Sequence, residues 1–194
     1  VSVLDFILGR QEAGLRKQGY ITPPASASDN FNSGITHWTT QQGTVWNINS
    51  NGLAGGTGST ECSAYYKDQI LAANQFATAK IVAAGPSCQA GVSVRCTGTG
   101  ASTKFYGYYG GSNVGSELFK VVNGVKTSLQ TGGANFAAND IVRIEVSGTS
   151  ITCKRNGATT LTTTDSDVTG AGYGGAPFYS NDASYIDDWS AGDL

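Results

Sequence analysis

The chain has 194 residues, enough for one sizeable domain or for one domain with an appendage. Charged residues make up only 13% of it and the net charge is −2, so it lacks the basic stripe that nucleic acid requires. No apolar run reaches the ~18 residues needed to span a membrane. With 27 Gly, abundant Ser, Thr and Asn, and 39% hydrophobic residues including three Trp, nine Tyr and seven Phe, the composition excludes disorder and fits a β-sandwich rich in tight turns.

Residues 1–20 differ from the rest. Ser2 followed by Asp5 has the form of a capping box. Leu4, Ile7, Leu8 and Leu15 fall near one helical face, Phe6 adds to the apolar set, and Gly19 is a stop signal. The segment is expected to be an amphipathic helix or two short ones. Exposed apolar side chains gain on the order of 1.5–3 kcal/mol each by burial. Leu4, Phe6, Ile7, Leu8 and Leu15 are therefore expected to dock on a partner. The start has no basic region, long apolar stretch or cleavage site of a signal peptide. The chain contains no Met. This is read as an initiator Met removed ahead of a small residue, hence synthesis in a cytoplasm. Residues 21–28, with Pro23 and Pro24 followed by small polar residues, are expected to be an extended linker.

From Asp29 onward the pattern is β. Residues 74–82, 91–96, 117–122, 140–146 and 149–154 are strand-like. Val92, Val94 and Cys96 alternate with Ser93 and Arg95, and Val142, Ile144 and Val146 alternate with Arg143 and Glu145. One-sided strands of this kind belong to antiparallel sheets with one face on a core. Asn123-Gly124 and Asn156-Gly157 each sit between two such runs and predict type I′ turns, which need φ > 0 at both central residues. Residues 117–164 thus read as a meander of hairpins. Cys96 and Cys153 are expected to be small core residues, whereas Cys62 and Cys88 sit in polar surroundings where a pair could form.

Asp29-Asn30-Phe31, Trp46-Asn47-Ile48, the run Asn139–Gly148, then Ile151–Gly157, and finally Tyr185-Ile186-Asp187-Asp188-Trp189 follow in that order. This series resembles the concanavalin A-like and laminin G-like jelly-roll domains, particularly those of phage and bacterial extracellular proteins. The resemblance covers residues 29–194 and implies an all-β, antiparallel jelly-roll sandwich. It also implies that the first and last strands pair, bringing Phe31 and Trp189 together. It further implies a structural Ca2+ near the termini, with Asp29, Asp187 and Asp188 as the candidate oxygen ligands. The other reading of these carboxylates is that they cap strand ends and turns.

Catalytic signals are weak. Four Glu are present, Glu12, Glu61, Glu117 and Glu145, and none has an acidic neighbour close in sequence for a carboxylate pair on one strand. Asp165-Ser166-Asp167 lies in a Thr/Gly-rich loop. His37 is the sole histidine, and no Gly-x-Ser-x-Gly elbow or phosphate loop is present. The chain is expected to be non-enzymatic.

Two functions are expected. The first is a phage virion structural protein, a capsid decoration, cement or head-fibre component at the virion surface. It would dock on the major capsid protein or another virion subunit through residues 1–20, as a homo-oligomer with a trimer as one candidate. The alternative is a carbohydrate-binding, lectin-like module. Tyr106, Tyr108 and Tyr109 among glycines are its glycan-stacking candidates, with Tyr65, Tyr66, Trp38 and Trp46 as additions. Alternation leaves another outcome open: if Tyr106 and Tyr108 face inward, Phe105 and Tyr109 face out.

Overall fold

The computed structural model describes residues 24–47, 52–56, 61–87, 89–179 and 184–194, the side chains of Trp46 and Asn47 excepted. The expected anchor residues Leu4, Phe6, Ile7, Leu8 and Leu15, and Cys88, lie outside the described residues.

Two antiparallel sheets face each other. The eight-stranded sheet contains β1 (Ser26–Asp29), β3 (Val45–Asn47), β4 (Leu53–Gly55), β6 (Gln75–Ala83), β11 (Ile141–Ser147), β12 (Ser150–Arg155), β13 (Ala158–Thr164) and β15 (Tyr185–Asp193). Its order is β13-β12-β11-β6-β15-β4-β3, with β1 also paired to β15. The seven-stranded sheet contains β2 (Trp38–Gln42), β5 (Glu61–Tyr66), β7 (Gln89–Thr97), β8 (Lys104–Gly110), β9 (Ser116–Val122), β10 (Val125–Gly133) and β14 (Tyr173–Tyr179). Its order is β10-β9-β8-β7-β14-β5-β2. The fold is the all-β jelly-roll sandwich expected from the sequence.

Alternation builds the core. Val142, Ile144 and Val146 of β11 are fully buried. On the other face of β11, Glu145 accepts from Arg143 at 2.6 Å and from Lys154 of β12 at 2.8 Å. Both Asn-Gly turns adopt the expected conformation, with φ of 53° and 77° at Asn123-Gly124 and 51° and 82° at Asn156-Gly157. The expected continuous meander is corrected. The β9–β10 hairpin lies in the seven-stranded sheet, and β11–β12–β13 lies in the other. The chain crosses between sheets at residues 134–140, where no strand signal intervenes. The edge strands β10 and β13 then meet, and the Thr162 N–H donates to the Gln130 side chain at 3.0 Å. This satisfies one free donor of an exposed edge.

Residues 21–28 were read as linker, yet Ser26–Ser28 belong to β1. That strand pairs with the C-terminal strand in the register Ser26↔Gly192 to Asp29↔Trp189. The first described strand and the last are therefore neighbours, as the resemblance implies. Phe31 and Trp189 join one aromatic cluster through Trp38, whose ring lies 5.4 Å from Phe31 and 4.8 Å from Trp189.

A β-bulge overturns the simple alternation of β7. The β7–β8 register slips between Val94 and Thr97, and Arg95 takes φ 53°. Val92 and Val94 enter the main core, but Cys96 turns to the far face of the sheet. There it packs with Phe105, Tyr109, Phe119 and Val121 in a second buried cluster. Gly107 makes room for this packing, because a Cβ there would sit 2.4 Å from the Phe119 ring. Arg95, expected outward, is instead 2% exposed and points between the sheets. Its guanidinium donates to the carbonyls of Ala73, Val168 and Gly148 at 2.7–2.9 Å.

Cys96 and Cys153 are both completely buried. Burial pushes the Cys96 thiol up to about 12 and raises that of Cys153 as well. The thiolate is the reactive species. Native protein should therefore leave both residues unlabelled by a maleimide, with both labelled in concentrated guanidinium, as read by peptide mass spectrometry. Rapid labelling of either in the native state would contradict this packing.

Candidate functional site

The end of β1, the loop that follows it, the end of β5 and the middle of β15 surround an open cavity of about 520 Å3. It begins where β1 ends. The Asp29 carboxylate accepts the Phe31 N–H at 2.7 Å and the Trp38 indole N–H at 2.8 Å. These bonds turn the chain sharply from β1 toward β2 and hold Phe31 at φ 55°. A bulky residue with positive φ is a genuine outlier. On the opposite wall, the β6–β15 register slips between Asp187 and Ser190, placing Asp188 at φ 48°. Such conformations cost of order 1–3 kcal/mol each and concentrate at ligand clamps and active sites. Two of them flank one cavity here.

Three rings form its apolar side. Tyr66, at the end of β5, stacks on Trp189 at 5.5 Å and 24°, and His37 stacks on Tyr66 at 5.8 Å and 23°. Burial decreases along this ladder. Trp189 is 1% exposed, Tyr66 is half-buried and His37 is exposed. The innermost ring is fixed by its indole N–H, which donates to Gly175 O at 3.2 Å. The outermost is fixed by a short contact between His37 Nδ1 and the Asp68 carboxylate. Polar groups complete the lining: Ser28, Asp29, Asn30, Ser33, Asp188 and Ser190. Burial raises the Tyr66 hydroxyl above its ordinary value, and the charges of Asp68 and Asp29 add to that rise.

The structure separates the residues singled out in the sequence. Asp29 and Asp188 both line the cavity, while Asp187 lies beside them and accepts the Asp188 N–H at 2.8 Å. Both Asp29 oxygens accept protein donors, and among the described residues no group of three or more His, Cys, Asp or Glu side chains is placed to hold a metal ion.

The glycan-stacking candidates Tyr106, Tyr108 and Tyr109 are corrected, because none exposes a ring face. Tyr106 and Tyr108 are fully buried in the main core, with their hydroxyls bonded to Asp165 at 2.7 Å and Thr160 at 2.8 Å. Tyr109 faces the other way and is 1% exposed, beneath Lys126 at 4.7 Å from its ring centroid. Tyr66 and Trp38, named as additions, belong to the cavity cluster instead.

Two lysine-bridged acidic pairs lie outside the cavity. Lys120 holds Asp165 at 2.6 Å and contacts Asp167, beside a smaller recess of about 200 Å3. The other pair escaped sequence reading, because its members come from β5 and β9. Lys126 lies 3.1 Å from Glu61 and 2.8 Å from Glu117, and Tyr109 donates to Glu61 at 3.2 Å. Burial raises the Glu61 carboxyl, with Lys126 opposing and the Glu117 charge assisting.

No family model matches the chain, and no curated protein matches it in sequence. Solved structures resemble it in fold. Carbohydrate-binding module CBM66 from Bacillus subtilis superposes with TM-score 0.61 at 14% identity, over 81% of this chain and 92% of that one. A Bacillus licheniformis β-glucanase gives TM-score 0.61 at 12% identity, over 89% and 100%. The exoplasmic/lumenal domain of VIP36, with Ca2+ and Man3GlcNAc bound, gives 0.56 at 13% identity, over 81% and 84%. Neighbours in fold thus include both binding proteins and enzymes. At these identities the likeness establishes architecture, a jelly-roll sandwich of the kind these proteins share.

Proposed function

We propose that this protein is a carbohydrate-binding, lectin-like domain whose ligand lies in the cavity between β1, β2, β5 and β15. The observation that carries this reading is the stacked ladder of His37, Tyr66 and Trp189 beside convergent hydroxyl, amide and carboxylate groups. A sugar ring has an apolar face and a polar perimeter. The open face of His37, outermost in the ladder, and the exposed edge of Tyr66 meet the first, and fixed polar groups read the second. The cavity volume suits a small saccharide. The fold shared with a carbohydrate-binding module and a Man3GlcNAc-bound domain supports the same assignment.

A binding role accounts for the two lysine-bridged acidic pairs outside the cavity better than hydrolysis does. A glycosidase needs one carboxyl free to protonate the leaving oxygen and a second to act on the sugar. Glu61 and Glu117 are both tied to Lys126, and Glu61 also accepts from Tyr109. Asp165 and Asp167 share Lys120 in the same way.

The test is a glycan screen followed by titration of wild type and Tyr66→Ala. Wild type should bind at least one oligosaccharide at millimolar affinity or better. Tyr66→Ala should weaken it roughly tenfold, because His37 loses the ring that backs it and the cavity loses the Tyr66 edge, with an unchanged far-UV circular dichroism spectrum. Absence of any response to a broad panel at millimolar concentration would remove the assignment.

A further inference from the structure

The charges around the cavity are one-sided. Asp29 and Asp188 line it, and among the described residues no Lys or Arg does. His37 is engaged by Asp68. Asp29 is hydrogen-bonded by neutral donors, which leave its charge uncompensated. The Asp188 carboxylate is exposed and has no hydrogen bond or ion pair among the described residues. Neighbouring groups register the resulting field. Burial raises the Asp187 carboxyl, and the charges of Asp188 and Asp29 push it the same way, against the Asp188 N–H and Lys80.

Resting on the glycan reading above, we propose that the cavity prefers hexosamines carrying a free, protonated amine over neutral and acidic sugars, with Asp188 setting the preference. An ammonium group brings three donors and one positive charge. Two carboxylates beside a ring platform match that demand, whereas a hard metal cation takes six or more oxygen ligands. The aromatic ladder fixes the sugar plane, and the carboxylates then select the substituent. A uronic or sulfated sugar would bring like charge against the same wall and be rejected. The bulge at Asp187–Ser190 carries Asp188 to the cavity rim, so the backbone outlier and the specificity share one residue.

The experiment is a calorimetric titration of the full chain with a glucosamine tetramer and with its fully N-acetylated counterpart, at low and high salt. Wild type and Asp188→Asn are compared, since Asn tolerates the left-handed conformation well. The amino form should bind roughly threefold to fivefold more tightly at low salt. That advantage should shrink with added salt and vanish in Asp188→Asn, the ratio of the two affinities falling to about one. Equal binding of both forms by wild type, or a preference that survives Asp188→Asn, would overturn the charge selection while leaving the glycan reading standing. Loss of binding on adding a chelator would also overturn it, by assigning the carboxylates to a metal. Failure of both tetramers and of the wider glycan panel would overturn both proposals.

Discussion

Replacing Trp189 with Ala should destabilise the protein by about 3–5 kcal/mol, the usual cost of deleting a buried Trp. The side chain is 1% exposed and contacts three separate parts of the fold. Its indole N–H donates to Gly175 in the seven-stranded sheet, its ring packs edge-on to Trp38 at 4.8 Å, and its face supports Tyr66. Its backbone pairs with Asp29 at the end of β1. The melting temperature should fall by roughly 6–20 °C, given about 2–4 °C per kcal/mol for a chain of this size. Glycan binding should disappear in the fraction that stays folded, because Tyr66 loses its backing. Trp189→Phe separates the two effects. It keeps an apolar ring, so it should recover more than half of the stability and part of the binding. A Trp189→Ala variant with wild-type stability would show that the terminal strands are not held together through this ring.

Arg95→Met should cost about 3 kcal/mol. Arg95 is a buried cation with no carboxylate partner among the described residues, held by three carbonyls from three connections. Ala73 precedes β6, Gly148 lies in the β11–β12 turn and Val168 lies between β13 and β14. Burial lowers the Arg95 pKa from its ordinary value. The Met side chain fills similar volume but donates nothing. The Gly148 and Ala73 carbonyls can turn to water, whereas the Val168 carbonyl is buried and would be left unsatisfied. Arg95→Lys should recover less than half of the loss, since one ammonium cannot span positions reached by a planar fork. Urea denaturation measures both variants. An Arg95→Met midpoint within error of wild type would mean that the guanidinium bonds do not contribute net stability.

Much of the architecture was legible because it is written locally. The alternation in β11, the two Asn-Gly turns and the β run beginning at Asp29 each depend on residues within one element. The pairing of first and last strands followed from resemblance alone. What local reading lost were the β-bulges. Positive φ at Arg95 and Asp188 has no sequence signature comparable to Asn-Gly, yet each slips the phase of its strand. One sent an arginine inward and a cysteine outward, and the other formed the cavity wall. The site was half visible. Asp29 and Asp188 were picked out as metal ligands, and Tyr66 as a stacking ring, but their meeting depends on pairing between β1, β2, β5 and β15. The Tyr106–Tyr109 run misled because exposure cannot be read from alternation when both faces of a sheet are packed. Glu61 and Glu117 were judged by sequence neighbours, and their shared Lys126 arises only across strands. The docking role expected of residues 1–20 concerns residues outside those described.

The central claim is the location of the sugar. Backbone amide shifts of isotopically labelled protein should be followed during titration with the best-binding oligosaccharide. Saturable changes should centre on Ser28–Asn30, Tyr66 and Asp188–Ser190. Changes confined to the far face of the seven-stranded sheet, around Tyr65, Tyr173 and Tyr179, would contradict it.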